Sequence, residues 1–231
     1  MDDIQFFQTF FNLDEPEINE HFYAEYLGLR DWEKLLANGW RHNGQMVYRT
    51  SRDINDLTGA IVHVQPLRYR LKNFDMSKSQ RKIWRQNQDL TFRIIPLSIT
   101  DEIHALVAQH TARFKSRVPN SIYDFVSPVP RSPFQSYQME IRKADKLIAV
   151  TFIDLTRHTL SSTYAAFDLE ESKRSLGNFT MLLEIELAIE MKKTYHYPGY
   201  AYREPSLMDY KKRFAGVEYF DWWNDWWMPL L

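Results

Sequence analysis

Between residues 147 and 202 two apolar runs, a charged glycine turn, a long helical stretch and an aromatic run succeed one another. No other part of the chain restricts the fold as much. The runs are Leu147-Ile-Ala-Val-Thr-Phe-Ile-Asp154 and Tyr164-Ala-Ala-Phe-Asp168, the turn is Lys173-Arg-Ser-Leu-Gly177, and the aromatic run is Tyr195-His-Tyr-Pro-Gly-Tyr200. Strand, strand, turn, helix, strand is the expected reading, with the helix over 178–193 apolar around most of its circumference, as a helix laid on a sheet is. A turn that opens a helix turns free N–H groups and the positive dipole end outward, which suits an anion or a developing oxyanion. Chemistry is expected there.

The rest of the chain fits a mixed α+β protein with a mostly antiparallel sheet flanked by helices. Residues 136–143, 147–156 and 160–168 read as a meander, 60–68 and 90–98 as further strands, and 194–202 as another. Asn43-Gly44 predicts a hairpin over Trp40–Arg49. Asp31 is expected to cap a helix ending at Asn38-Gly39, and Thr100 one carrying Ile103, Leu106, Val107 and Phe114 on one face. Phe6, Phe7, Phe10 and Phe11 belong to an N-terminal arm expected to pack on the body. Residues 118–136 hold four of the ten prolines and read as an ordered loop lining a site. A boundary at 99/100 would separate an N-terminal arm and β-rich part, 1–99, from a catalytic part, 100–231, with a Trp-rich tail.

Composition excludes several classes. The net charge of −1 argues against adhesion of the whole chain to nucleic acid or anionic lipid. The absence of cysteine removes disulfides and Cys-ligated metal sites. The seven histidines have no metal-ligand spacing: His104 and His110 are six apart, and His21, His42, His63, His158 and His196 stand alone, so they read as structural or surface groups. Neither metal nor cofactor is expected. No apolar run reaches the ~18 residues of a membrane span, and Met1-Asp-Asp-Ile has no basic flank of a signal peptide, which gives a cytoplasmic expectation with no membrane partner.

Three constellations carry chemistry. Residues 68–93 hold eight Lys and Arg against Asp75 and Asp89 alone. Lys78, Arg81, Lys82 and Arg85 stand at i, i+3, i+4, i+7, so on a helix capped by Ser77 or Ser79 they form one stripe suited to a phosphate backbone, with Gln80, Trp84 and Asn87 beside it for bases. A solvated helix face is the plain alternative. Second, Arg174-Ser175-Leu176-Gly177 half matches the loop with which acyl-CoA transferases of the GNAT type hold pyrophosphate, Phe179 standing where a small residue is needed. Third, the helical wheel sets Glu184 among Leu187, Ala188 and Met191, where apolar surroundings perturb a carboxyl, and Glu186 on a polar stripe.

In this order the pieces resemble the arginyl-tRNA–protein transferase family, its bacterial aspartate/glutamate leucyltransferase relatives included. The matching stretches are Leu36–Gly44 with Val47–Arg49, Ser77–Lys82 with Asn87, Val150–Asp154 with Tyr164 and Asp168, Arg174–Gly177, Glu184–Ala188, Tyr197–Tyr200, and Asp209–Lys211 with Phe214. The resemblance runs through residues 30–220. It implies a GNAT-like half that takes aminoacyl-tRNA in place of acyl-CoA and moves an arginyl or leucyl group to the α-amine of an acceptor protein. The family's cysteine cluster is missing: Thr50–Gly59 stands in its place, which makes this a divergent branch without metal control. The family pattern favours Glu186 as the catalytic acid, with Asp154 second. Backbone N–H groups near Leu176 or the Tyr197–Tyr200 strand would serve the oxyanion, and Arg174, Tyr210 and Lys211 the tRNA end or an acidic acceptor side chain. An acyl-CoA N-acyltransferase and an inactive tRNA- or peptide-binding module are the alternatives.

Overall fold

In a computed structural model of the chain, residues 16–55, 58–114, 118–127 and 134–230 are described. The four phenylalanines of the expected N-terminal arm lie outside them. Strand β1 (Asn19–Tyr23) precedes helix α1 (Leu29–Ala37), and the hairpin β2 (Arg41–Asn43) and β3 (Met46–Thr50) follows. Gly44, at φ +55°, makes the turn between them, where a side chain would be strained. β1, β3 and β2 form a small antiparallel sheet in that order.

The principal sheet has nine strands. β4 (Arg52–Ile54), β5 (Ile61–Arg70) and β6 (Thr91–Pro96) come from before residue 100. β7 (Ser136–Lys143), β8 (Lys146–Leu155), β9 (Thr159–Phe167), β10 (Tyr195–Tyr202), β11 (Val217–Asp221) and β12 (Trp226–Pro229) come from after it. The order is β12-β11-β5-β10-β9-β8-β7-β6, with β4 beside β5. An edge at 99/100 therefore cuts through one sheet; only β1, β2 and β3 stand in a sheet of their own. All pairs are antiparallel except β9 with β10, which run parallel over Tyr195–Tyr197 against Thr159–Ser161. Beyond those three residues the two strands part.

β8 is buried along all but its first residue, so it reads as a continuous apolar run instead of an alternating one. Val150 and Phe152 pack against helix α3 (Asp101–Thr111) through Ile103, Leu106 and Val107. On the other face lies helix α4 (Leu176–Glu190), whose Leu182 and Ile185 meet Ile153 and Leu155. α4 is apolar nearly all round because it is covered twice. Helix α2 (Lys78–Gln86) lies over it, with Ile83 and Trp84 packed toward Phe179 and Leu183.

The caps follow the expected chemistry in two of three cases. Ser77 closes a capping box with Gln80 at the start of α2, and the Thr100 hydroxyl accepts from Ile103 N. Gly28 holds the capping position of α1 instead of Asp31, which sits in the first turn and pairs with Lys34 at 3.0 Å. α3 stops at Thr111, short of Phe114, and its buried face is completed by His110. Among the described residues, no helix is long and apolar enough to cross a membrane.

Candidate active site

Where β9 and β10 part, a cavity of about 1120 Å³ opens. Its wall is assembled from β2 and β3 (Arg41, His42, Tyr48), β8 and β9 (Thr151, Ser162, Tyr164), the first turns of α4 (Ser175–Asn178, Glu184), β10 (Gly199, Tyr200) and the turn Asp209–Arg213 (Tyr210, Lys211). The divergence has a local cause. Pro198 has no N–H to give a neighbouring strand, and Gly199 adopts φ +96°, so the register of β10 on β5 slips between His196 and Gly199.

Among the acids that line this cavity, Asp53, Asp168, Glu171 and Glu184, the last is held inside the sheet. It is 2% exposed and accepts hydrogen bonds from the hydroxyls of Thr151 and Ser162, with His196 Nε2 at 3.1 Å. Three strands and a helix thus converge on one carboxylate. The linear spacing hides this, because His196 reaches Glu184 only through the parallel placement of β10 beside β9. Two of the five histidines that read as isolated are buried partners of acids: His196 of Glu184, and His42 of Asp154 at 2.6 Å.

At one end of the cavity α4 begins. Ser175 adopts φ +54° and turns the chain from the Leu169–Arg174 helical turn into α4. Ser175, Leu176 and Gly177 line the cavity, and the leading N–H groups of a helix lack intrahelical acceptors. Arg113 stands near them, its guanidinium over the rings of Phe114 and Phe167 and its Nη2 donating to His110 Nε2 at 2.9 Å. Burial first, and the charge of Arg113 second, push the His110 pKa down to about 4. The neutral ring then donates from Nδ1 to the carbonyl of Phe167 at 3.1 Å. Burial also pushes the Tyr164 hydroxyl up to about 12. The described part of the proline-rich segment reaches this end: Phe125 stacks on Tyr164 at 4.0 Å.

A second part of the wall is also cationic. Arg41 and Lys211 approach the β10 bulge, and burial, aided by the charge of Arg41, pulls the Lys211 pKa down to about 8. Tyr210 beside it is pushed up to about 12, chiefly by burial.

Of the residues singled out from the sequence, Ser175, Leu176, Gly177, Tyr200, Tyr210 and Lys211 are brought together in this wall. Others lie elsewhere. Glu186 is half-buried outside the lining, its pKa raised by burial. Asp154 lies behind His42, its second oxygen bonded by Ser136. Tyr197 is 1% exposed in a core cluster with Trp227. Arg174 is committed to Asp89 through two hydrogen bonds of 2.8 and 2.9 Å and to Glu171 at 2.7 Å, so it is not free for pyrophosphate. Gly177 serves packing: a Cβ there would stand 3.2 Å from the Phe167 ring.

Lys78, Arg81, Lys82 and Arg85 lie exposed on the outer face of α2, away from the cavity. The bases' expected partners do not join them. Gln80 and Asn87 are buried in the capping box and in bonds to Ile83 and Arg174 carbonyls, and Trp84 packs on Phe179. Part of the charge excess is also neutralised from outside the segment, since Arg68 and Arg70 pair with Glu218 and Arg93 with Glu140.

Comparison with known proteins agrees with this architecture. The family model described as "Arginine-tRNA-protein transferase, C terminus" matches residues 101–221. The aspartate/glutamate leucyltransferase of Acinetobacter baylyi is 29% identical over 189 residues, covering 80% of this chain and 68% of the relative. The enzyme of the same name from Marinobacter nauticus is 29% identical over 190 residues, covering 81% and 78%. That of Saccharophagus degradans is 29% identical over 210 residues, covering 87% and 83%. Among solved structures, L-PGS from Bacillus licheniformis shares the fold at a TM-score of 0.50 and 12% identity, over 67% of this chain and 58% of that one. With the family model matching more than half of its length, the chain belongs to the arginine-tRNA–protein transferase family, which includes the aspartate/glutamate leucyltransferases.

Proposed function

We propose that this protein moves a leucyl group from the 3′ end of a tRNA to the α-amine of an acceptor protein whose first residue is acidic, on a GNAT-like catalytic half. The observation that carries the reading is Glu184, a buried carboxylate in a cavity wall that also holds a helix start and the cations Arg41 and Lys211. The short parallel pairing of β9 and β10 around α4, with its opening, supports the GNAT-like assignment. The name of the relatives supports leucyl over arginyl as the donor group.

The aminoacyl ester arrives activated, so the reaction asks little of the protein. The acceptor amine, with a pKa near ~7.7–8.0, is partly free at neutral pH. Its nitrogen attacks the ester carbonyl, the bond to the ribose oxygen breaks, and the amine proton ends on that ribose hydroxyl. The N–H groups of Leu176 and Gly177 serve the tetrahedral oxyanion, and Glu184 holds the attacking amine and relays its proton. Holding two substrates in register supplies most of the acceleration. Outside the cavity, the stripe Lys78, Arg81, Lys82 and Arg85 takes the tRNA backbone.

The acyl-CoA alternative has less support. It asks for a free Arg174 and a glycine that admits phosphate, and these residues are engaged with Asp89 and Phe167. A donor comparison tests the reading. Leucyl-, arginyl- and phenylalanyl-tRNA and acetyl-CoA are offered with a peptide beginning with Asp, to the wild-type chain and to Glu184→Gln. Transfer from leucyl-tRNA, lowered about a hundredfold in the variant, is the expected result. Acetylation of the peptide with no aminoacyl transfer would overturn it.

A further inference from the structure

Glu184 is enclosed by its own donors. Its Oε1 accepts from the Thr151 hydroxyl, while its Oε2 accepts from the Ser162 hydroxyl and faces His196 Nε2 at 3.1 Å. Thr151 and His196 are 0% exposed and Glu184 is 2% exposed. Ser162 is half-buried and stands in the cavity wall, so of the four it is the one open to a ligand.

The backbone puts Ser162 there. Ser161 is the last residue of β9 paired with β10, and Ser162 is the first beyond it. Against its other neighbour β9 takes an extra residue. Phe152 faces Tyr164 and Ile153 faces Ser162, which leaves Thr163 as a bulge on β8. Such bulges re-aim side chains and are frequent beside reaction centres.

The protons can be counted. A hydroxyl has one proton and two lone pairs, and Ser162 gives its proton to Glu184. His196 Nε2 stands 2.8 Å from Ser162 Oγ and faces the carboxylate as well, so its partners assign the ring proton to Nε2. Nδ1, buried with no hydrogen-bond partner, then holds the ring's lone pair, with the Tyr69 ring centred 5.4 Å from the imidazole. One lone pair of Ser162 is thereby taken by His196. The second is left for an N–H that arrives from the cavity.

We propose that Ser162 is a catalytic residue whose Oγ accepts the proton of the reacting amine while its own proton moves to Glu184, with His196 as the positioning residue that holds the hydroxyl for this exchange. The proposal rests on the transferase reading above, and Glu184 acts on the amine through Ser162. As the nitrogen bonds to the ester carbonyl, one of its protons passes to Ser162 Oγ, and the Ser162 proton passes to Glu184 Oε2. As the bond to the ribose oxygen breaks, the transfer reverses: Glu184 returns a proton to Ser162 Oγ, and Ser162 gives one to the ribose oxygen. Both residues end as they began, and the proton lost by nitrogen is balanced by the one gained by the ribose.

The test is single-turnover leucyl transfer from leucyl-tRNA to a peptide beginning with Asp, in mixtures of light and heavy water. The full chain is compared with Ser162→Ala, Ser162→Thr, Glu184→Gln and the double variant of Ser162→Ala with Glu184→Gln. Ser162→Ala is expected to slow transfer about a hundredfold at saturating substrates, with the half-saturating concentrations of peptide and tRNA changed less than about twofold. Ser162→Thr keeps the hydroxyl and is expected to stay within about tenfold of wild type. The double variant is expected to be about as slow as the slower single one, because the two residues act as a unit. The wild-type rate is expected to depend on the heavy-water fraction along a curve, as two protons move together, and the Ser162→Ala rate along a straight line.

A wild-type rate in Ser162→Ala, a double variant slowed by the product of the two single effects, or a straight line for wild type would each overturn the relay. The last of these needs no variant to fold. Transfer from acetyl-CoA instead of leucyl-tRNA, with the same dependence on Ser162, would leave the relay standing and refute the transferase reading. Leucyl transfer indifferent to Ser162 would do the reverse, and no transfer from either donor would overturn both.

Discussion

His110 couples the stability of the cavity wall to pH. It is 2% exposed, and the neutral ring bridges Arg113 and the backbone of Phe167. Its pKa is about 4 in the folded chain against 6.5 for a free histidine. Between these values the unfolded chain binds the extra proton and the folded chain does not, so stability falls as pH drops from 6.5 toward 4. The loss attributable to this one ring is on the order of 2–3 kcal/mol. Denaturant unfolding of wild type and His110→Gln at pH 7 and pH 4.5 measures it, and the variant is expected to show a visibly flatter pH dependence. An equal slope in both proteins would move the effect to other groups. The same residue marks a limit of linear reading: its burial follows from the face of α3, but its pairing with Phe167 requires that β9 lie under that helix.

At the scale of elements, α2 has two faces with different tasks. Ile83 and Trp84 cover α4, while Lys78, Arg81, Lys82 and Arg85 stay in water, Arg81 with Asp75 at 3.6 Å. If the outer face meets phosphates, each contact releases about one counterion, and tRNA affinity falls with salt at a slope of roughly −0.7 to −0.9 per contact. Arg81→Ala with Arg85→Ala is expected to weaken tRNA binding and flatten that slope by about two contacts, with folding nearly unaltered, since exposed charges contribute little to stability. Unaltered affinity and slope would make the stripe a solvated face. The period of this stripe, the Ser77 cap and the Asn43-Gly44 hairpin were legible in the sequence because each is a local pattern. So was the strand, helix, strand order from 147 to 202. Glu184 stood out on the helical wheel, but its donors sit on three different strands, and only the sheet order brings Thr151, Ser162 and His196 to it. Arg41 stood inside the Leu36–Gly44 stretch of the family resemblance, but with no role read for it. Nothing in a hairpin's sequence states that its guanidinium ends in a cavity 158 residues away from the glycine it meets.

For the whole molecule, the fold brings a cavity, the buried Glu184 carboxylate, a helix start and a cationic bulge together at the parting of two parallel strands. The proposed work of this arrangement is transfer of a leucyl group from a bound tRNA to a second bound substrate. The measurement that bears on this most directly is a single-turnover experiment with the chain in excess over leucyl-tRNA labelled in the amino acid. A peptide beginning with Asp is present, and both pools are sampled in time. Label leaving the tRNA and appearing on the peptide α-amine at one common rate, with no free leucine ahead of it, is the expected result. Release of label as free leucine, or retention on the tRNA while the peptide stays unmodified, would contradict it.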